Sequence, residues 1–176
     1  MTSSDLTSSD HQVKGAHVDF ATADLMDDSG GTAQCCTTQL RQYGGARRFT
    51  GLIRTVRCLE DTVLVKQVLA AGGDDHVLVI DGGGSHEAAL MGDITARQAM
   101  ERGWRGVVVF GVVRDTEALG ALPFGVKALG TCPRKPRQEG QGQVDEDVTF
   151  GGAVFRPGLR LWADDDGIVV ESLPVG

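Results

Sequence analysis

The sequence lacks the features that mark membrane, secreted and nucleic-acid-binding proteins. None of its apolar runs approaches the roughly 20 residues that cross a bilayer, and no basic start followed by an apolar stretch marks a secretory signal. Basic residues are fewer than acidic ones, 17 Lys and Arg against 24 Asp and Glu, for a net charge of -7. Because phosphate binding needs clustered Lys and Arg, we expect a cytoplasmic protein with no membrane or direct nucleic-acid partner.

Cysteine is also scarce and badly spaced for metal or disulfide chemistry. The four residues Cys35, Cys36, Cys58 and Cys132 form no CxxC pair, and the adjacent pair makes a poor metal clamp or disulfide. No histidine has a partner at metal-ligand spacing. We therefore predict buried or partly buried reduced thiols and assign no histidine a role.

A chain of 176 residues is long enough for one domain with a real core. Residues 1–18 have no hydrophobic period and predict a flexible tail, which leaves 19–176 as the folded domain. Hydrophobic spacing predicts three helices: one from about residue 19 to Ser29, one that buries Val65, Val68 and Leu69, and one from Gly92 to Gly103. Buried or alternating runs predict strands at about 51–59, 76–80 and 107–111.

The last third of the chain has a different sequence pattern. Short alternating segments are separated by Gly-Gly, Pro-Gly and Asp-Gly, which predicts β-hairpins. Because βα units come first and hairpins last, we predict an α/β fold: a β-rich domain with a mixed sheet, flanking helices and C-terminal hairpins.

Two glycine- or base-rich stretches admit more than one interpretation. "VLVIDGGGS" suggests a nucleotide or S-adenosylmethionine loop, but Glu87 stands where a third fingerprint glycine belongs, and the next strand ends without a carboxylate. A tight structural turn beside a ligand pocket is favoured, and a methyltransferase is a distant alternative. "PRKPRQEGQG", residues 133–142, fits a solvated loop better than an anion-contacting flap.

The strongest constellation joins Gly92, Asp93, Ile94 and Thr95 to the Arg-Asp pair in "GVVRDTEALG". A helix of about 11 residues climbs roughly 16 Å and an antiparallel strand descends as far, so helix start and strand end meet. The helix N-terminus offers unpaired N–H groups to a carboxylate, and an arginine can bind the same anion. An adjacent aspartate can hold a hard divalent cation.

A simpler interpretation competes with this one. Asp115 can be the N-cap of a short helix over Thr116–Leu119, with Arg114 merely exposed. The local pattern alone favours this simpler interpretation.

The segments "VIDGGGS", "ALMGD", "GWRGVVVFGVVRDTEAL", "FGVKALGTCPRK", "VTFGG" and "WADDDGIVV" resemble the family of RraA-like proteins and 4-hydroxy-4-methyl-2-oxoglutarate aldolases. The resemblance covers about residues 20–172. It implies a swivelling-type β-rich α/β domain that forms a homotrimer with sites near subunit boundaries. It also implies a class II, metal-dependent pyruvate aldolase with oxaloacetate decarboxylase activity.

The resemblance carries roles onto individual residues. The backbone of Gly92–Thr95 would receive a small 2-oxo acid, Arg114 would bind it, and Asp115 would ligate Mg²⁺ or Mn²⁺. Asp93, acting through metal-bound water, is the candidate for proton transfer. No lysine lies in the signature, which disfavours a Schiff base. The family's next acidic position falls on Ala118, with Glu117 one residue early, so the sequence departs from the family pattern at the supporting acid. A non-catalytic regulator that binds ribonuclease E is the alternative.

Overall fold

A computed structural model describes residues 19–174, and its centre is a parallel sheet of four strands. The predicted N-terminal tail, 1–18, lies outside the described residues. The helices are α1 (Thr22–Asp28), α2 (Val63–Ala70), α3 (Asp93–Glu101) and α4 (Thr116–Gly120). The first six strands are β1 (Gln34–Cys36), β2 (Arg41–Gln42), β3 (Phe49–Arg57), β4 (Val77–Asp81), β5 (Ala89–Met91) and β6 (Gly106–Val113). The other six are β7 (Gly125–Thr131), β8 (Gln143–Val144), β9 (Val148–Phe150), β10 (Ala153–Phe155), β11 (Arg160–Ala163) and β12 (Ile168–Val170).

The main sheet is mixed, as predicted. Its order is β1-β12-β11-β3-β4-β6-β7-β2, and the four strands β3, β4, β6 and β7 run parallel. Parallel strands need covered faces, which explains why the runs at 77–80 and 107–109 are apolar without alternation and fully buried. The carboxyl ends of these strands therefore lie at one edge of the sheet.

Helices cover one face of this sheet and hairpins the other. The predicted inner face of α2, Val65, Val68 and Leu69, is buried against the sheet. The C-terminal hairpins are confirmed: β9 pairs with β10 in a separate two-stranded sheet, β11 pairs with β12 as a continuation of the main sheet, and residues of both hairpins pack on the side opposite the helices. A stack of Phe110, Phe150 and Phe155 fills the core on that side. No helix among the described residues is long and apolar enough to span a membrane.

The observed element bounds correct several predictions. β3 begins and ends two residues before the predicted strand at 51–59, and β6 continues to Val113, beyond the predicted end at 111. Sequence patterns missed β5 and β7. In β7, Lys127 interrupts the apolar run although only 2% of the residue is exposed.

All four cysteines are free, as predicted, but their burial differs from the expectation at one position. Cys35 is exposed, because the alternation of strand β1 turns it outward and Cys36 inward. Burial, with smaller contributions from Asp61 and Asp81, raises the pKa of Cys58 to about 12. That thiol therefore stays protonated and is a packing residue.

Asp61 fastens a long loop to the start of α2. The residue is buried, and its carboxylate accepts backbone N–H groups from Val63 at 2.9 Å, Glu139 at 2.7 Å and Gly140 at 2.9 Å. Burial acts to raise the pKa of Asp61, but these N–H groups outweigh it and hold the pKa below its usual range. The carboxylate thus ties residues 139–140 to the carboxyl edge of the sheet.

We expect Asp61→Asn to lower the free energy of unfolding at pH 7 by about 1–3 kcal/mol, because an amide NH₂ would face backbone donors. A depressed pKa stabilises the fold above the unfolded-state value, about 3.9, and that contribution is lost as the pH falls through the folded-state pKa. Urea unfolding at several pH values should show the difference shrinking below about pH 4. Glu139→Gln, which keeps the backbone N–H, is the control; equal destabilisation by both variants would contradict this role.

Candidate active site

The Arg-Asp pair and the start of α3 lie side by side at the carboxyl edge of the sheet. β4 ends at Asp81, and β5 then pairs with β6, with Met91 opposite Val113. The Arg114 N–H donates to the Met91 carbonyl at 3.0 Å. Because Gly92 follows Met91 directly, the end of β6 is held against the helix N-terminus.

The backbone and side chain of Asp115 differ from those of an ordinary N-cap residue. It is the N-cap of the predicted short helix, α4, but its side chain makes no capping hydrogen bond. Its backbone is left-handed, with φ of 61°, a region that Asp tolerates better than most residues. Its Oδ2 lies 3.4 Å from the Asp93 N–H and 3.7 Å from Nε of Arg114. The carboxylate therefore faces α3: the predicted short helix with Asp115 at its N-cap position is confirmed, but the side chain does not cap it.

Gly92 leaves the space that this carboxylate occupies. A Cβ at position 92 would lie 2.5 Å from Asp115 Oδ2, well inside van der Waals contact. The φ of Gly92, -135°, suits any residue, so the requirement is space rather than conformation. In the first turn of α3, Asp93 and Thr95 are half-buried, whereas Ile94 is 68% exposed. The N–H groups of this turn have no partner within the helix and face the site.

Arg114 is partly exposed at the end of β6 and touches a basic loop. One third of its side chain is exposed, and Nη1 lies 3.5 Å from the Pro133 carbonyl, a long contact. The neighbouring backbone is fixed by bonds from Cys132 N–H to the Val113 carbonyl at 3.0 Å and from Ala89 N–H to the Arg134 carbonyl at 3.1 Å. Part of the stretch predicted as a solvated loop thus forms a wall of the site.

The glycine turn after β4 is explained by packing. Gly83 and Gly84 have φ of 65° and 71°, and a Cβ at Gly84 would lie 3.3 Å from the Phe110 ring. The Asp81 carboxylate accepts the Gly83 N–H at 2.9 Å and closes the turn. These contacts favour the structural turn over a cofactor loop.

The donor set around Asp115 limits which metal can bind. Among residues 19–174 no group of three or more His, Cys, Asp or Glu side chains is arranged to hold a metal ion. Asp115 is 41% exposed, and Ala118 on α4 supplies no second carboxylate. One carboxylate with open surroundings fits a hard cation such as Mg²⁺, which retains several waters, but not a protein-caged transition metal.

Comparison with known proteins gives one family. The model of the RraA-like family, described as Aldolase/RraA, matches residues 21–170. A protein from Geobacillus kaustophilus, solved under the name S-adenosylmethionine: 2-dimethylmenaquinone methyltransferase, is 44% identical, with 89% of this chain and 97% of that chain covered and a TM-score of 0.85.

Two further solved structures bear regulator names. The RNA-processing inhibitor RraA from Thermus thermophilis is 42% identical, with 90% of this chain and 96% of that chain covered and a TM-score of 0.84. RraAS2 from Streptomyces coelicolor, named an unusual member of the RNase ES inhibitor RraA protein family, is 27% identical. That match covers 86% of this chain and 78% of that chain, with a TM-score of 0.69.

We expect Gly92→Ala to displace the Asp115 carboxylate while changing the free energy of unfolding by less than about 1 kcal/mol, because a surface side chain can rotate away from the new methyl group. A crystal structure of the variant would show the movement, and thermal unfolding would measure stability. Gly120→Ala is the control, since its Cβ would meet nothing closer than 3.8 Å. An unmoved Asp115 would contradict the spatial role of Gly92.

Proposed function

Because the chain belongs to the RraA-like family, we propose that it is a lyase dependent on a divalent cation. It would cleave 4-hydroxy-4-methyl-2-oxoglutarate, or a related 4-hydroxy-2-oxo acid, to pyruvate, and would decarboxylate oxaloacetate. The observation that carries the proposal is the contact of Asp115 with both Arg114 and the first turn of α3. An anion-binding arginine, a helix N-terminus and a metal-type carboxylate serve 2-oxo acid chemistry together.

The protein's own residues account for substrate binding. The N–H groups of Asp93, Ile94 and Thr95 carry partial positive charge and would receive the substrate carboxylate. The guanidinium of Arg114 would bind the carboxylate or keto oxygen in the same pocket. When the bond between C3 and C4 breaks, negative charge develops on the pyruvate enolate, and Arg114 stabilises it. Decarboxylation of oxaloacetate passes through the same enolate.

Asp115 would hold Mg²⁺ or Mn²⁺. When bound, the cation supplies Lewis-acid stabilisation of negative charge on the substrate oxygens. The Asp93 side chain, in the first turn of α3, is the candidate for moving the proton of the C4 hydroxyl and protonating the enolate.

We also propose that the protein forms a homotrimer with its active sites near subunit boundaries. The exposed side chain of Ile94 and the half-exposed carboxylate of Asp115 leave one side of the site open in a single chain. We expect sedimentation equilibrium to give three times the 18.6 kDa chain mass; a monomer at assay concentration would contradict the proposed assembly.

A second candidate is a regulator that binds ribonuclease E without catalysis. The Thermus relative, 42% identical, is named an RNA-processing inhibitor. Ala118 supports this candidate, because it stands where an aldolase of this family is expected to have a supporting acid, and Glu117 lies one residue early. The intact contact between Arg114 and Asp115 favours the enzyme, since docking needs no metal carboxylate beside an arginine.

We expect Asp115→Asn to lower pyruvate release from oxaloacetate and from 4-hydroxy-4-methyl-2-oxoglutarate by about 100-fold or more, because the variant cannot neutralise the cation. The assay uses purified protein with Mg²⁺ or Mn²⁺, then with chelator. Asp165→Asn is the matched control, because Asp165 pairs with Arg47 beyond the amino end of β3.

The result also separates the two candidates. Metal-dependent turnover in the natural chain and the control, lost in Asp115→Asn, supports the lyase. Absence of metal-dependent turnover from either substrate, or full turnover by the variant, would overturn it. Inhibition of ribonuclease E that survives Asp115→Asn would support the docking regulator.

A further inference from the structure

A short segment crosses the carboxyl edge of the sheet beside Arg114. This crossing segment, residues 133–137, starts where the Pro133 carbonyl lies 3.5 Å from Arg114 Nη1. Its other end is bonded beside α2: the Arg137 N–H donates to the Glu60 carbonyl at 2.6 Å, and its carbonyl accepts the Thr62 N–H at 3.3 Å. Both ends are thus held by backbone hydrogen bonds or contacts, and the segment has a defined path.

Two prolines stiffen this path. Pro133 and Pro136 fix their own φ, and each disfavours a helical conformation in the residue before it. Lys135, directly before Pro136, is therefore biased to extended backbone and lies two residues from the Arg114 contact. Two residues span about 7 Å at most, within reach of a lysine side chain.

Lys135 differs from the other cations of the crossing segment. Arg134 pairs with Glu87 at 2.7 Å, and Arg137 lies 3.7 Å from Glu60. Lys135 is exposed and makes no ion pair or hydrogen bond with its side chain within residues 19–174. Of the three cations in the crossing segment, Lys135 is therefore the one without a partner among the described residues.

The balance of charges around the site favours an anion-binding role for the ammonium group of Lys135. Asp93 and Asp115 carry two negative charges beside the single positive charge of Arg114, while Arg134 and Glu87 neutralise each other. A dicarboxylate brings two more negative charges. Arg114 and the helix N-terminus serve the 2-oxo acid end, so the distal carboxylate needs a cation of its own.

We propose that Lys135 binds the distal carboxylate of a dicarboxylic 2-oxo acid and selects such substrates over monocarboxylic ones. This assignment rests on the proposed lyase function and narrows its substrate class. Lys135 is a specificity-determining residue: it contacts the carboxylate on the part of the substrate that separates from the pyruvyl part when the bond breaks. Loss of its charge should weaken dicarboxylate binding without disturbing the pyruvyl end.

The test compares two stable 2-oxo acids by calorimetry with Mg²⁺ present: 2-oxoglutarate, a dicarboxylate, and pyruvate, a monocarboxylate. We expect Lys135→Gln to weaken 2-oxoglutarate binding by about fivefold or more and to leave pyruvate binding unchanged. Lys135→Arg should retain most of the affinity. Arg97→Gln, on the exposed face of α3, removes the same charge elsewhere and should weaken neither ligand.

The outcomes separate this assignment from the function on which it rests. If the natural chain binds both acids and Lys135→Gln weakens neither, or weakens both equally, the Lys135 assignment is overturned and the lyase proposal stands. If the natural chain binds neither acid in the presence of Mg²⁺, the lyase proposal falls and takes the assignment with it. Thermal unfolding of the variants confirms that an exposed substitution leaves the fold intact.

Discussion

The pairing of β5 with β6 is the constraint on which the site depends. β4 stops at Asp81 while β6 continues, and the three residues of β5 fill the vacated place in the sheet. One backbone hydrogen bond, from Arg114 to Met91 at 3.0 Å, then joins two positions that are far apart along the chain. Because the bond is between backbone atoms, it holds the helix N-terminus beside the end of β6 whatever side chains stand there. The residues that follow this hydrogen bond along the chain, after β5 and after β6, supply the chemical groups of the site.

The conformation of Asp115 makes α4 less stable than an ordinary N-cap would. An aspartate at a helix N-cap ordinarily accepts an N–H of its own helix, which is worth about 1 kcal/mol. Here the left-handed backbone turns the carboxylate away from α4 and toward the Asp93 N–H of α3. A non-glycine residue in that region of backbone space costs free energy that the surrounding packing must offset. A weakly capped α4 together with an uncommon conformation is typical of a residue retained for its position in a site.

Sequence patterns predicted the elements that are strongly periodic or wholly apolar, including the buried face of α2 and the strand predicted at 76–80 and observed at Val77–Asp81. They also predicted that Gly92 and the Arg-Asp pair lie close together, because a helix and a returning strand of matched length place their far ends side by side. They missed β7 because buried Lys127 interrupts its apolar run, and β5 because three residues are too few to show a period. The path of the crossing segment depends on hydrogen bonds to Glu60 and Thr62, more than 70 residues earlier, which composition cannot reveal.

The charges at the carboxyl edge link the two binding events of the proposed reaction, that of the cation and that of the substrate. Asp93 and Asp115 outnumber Arg114 where the pyruvyl end of the substrate would bind, so this part of the site is net negative before any ligand enters, in a protein whose total is already -7. In the proposed function, an anionic 2-oxo acid would be repelled by these carboxylates unless a divalent cation entered with it. By thermodynamic linkage each would then tighten the binding of the other by the same factor. A single metal carboxylate, too weak alone to hold Mg²⁺ firmly, is consistent with a site that is completed only when both are present.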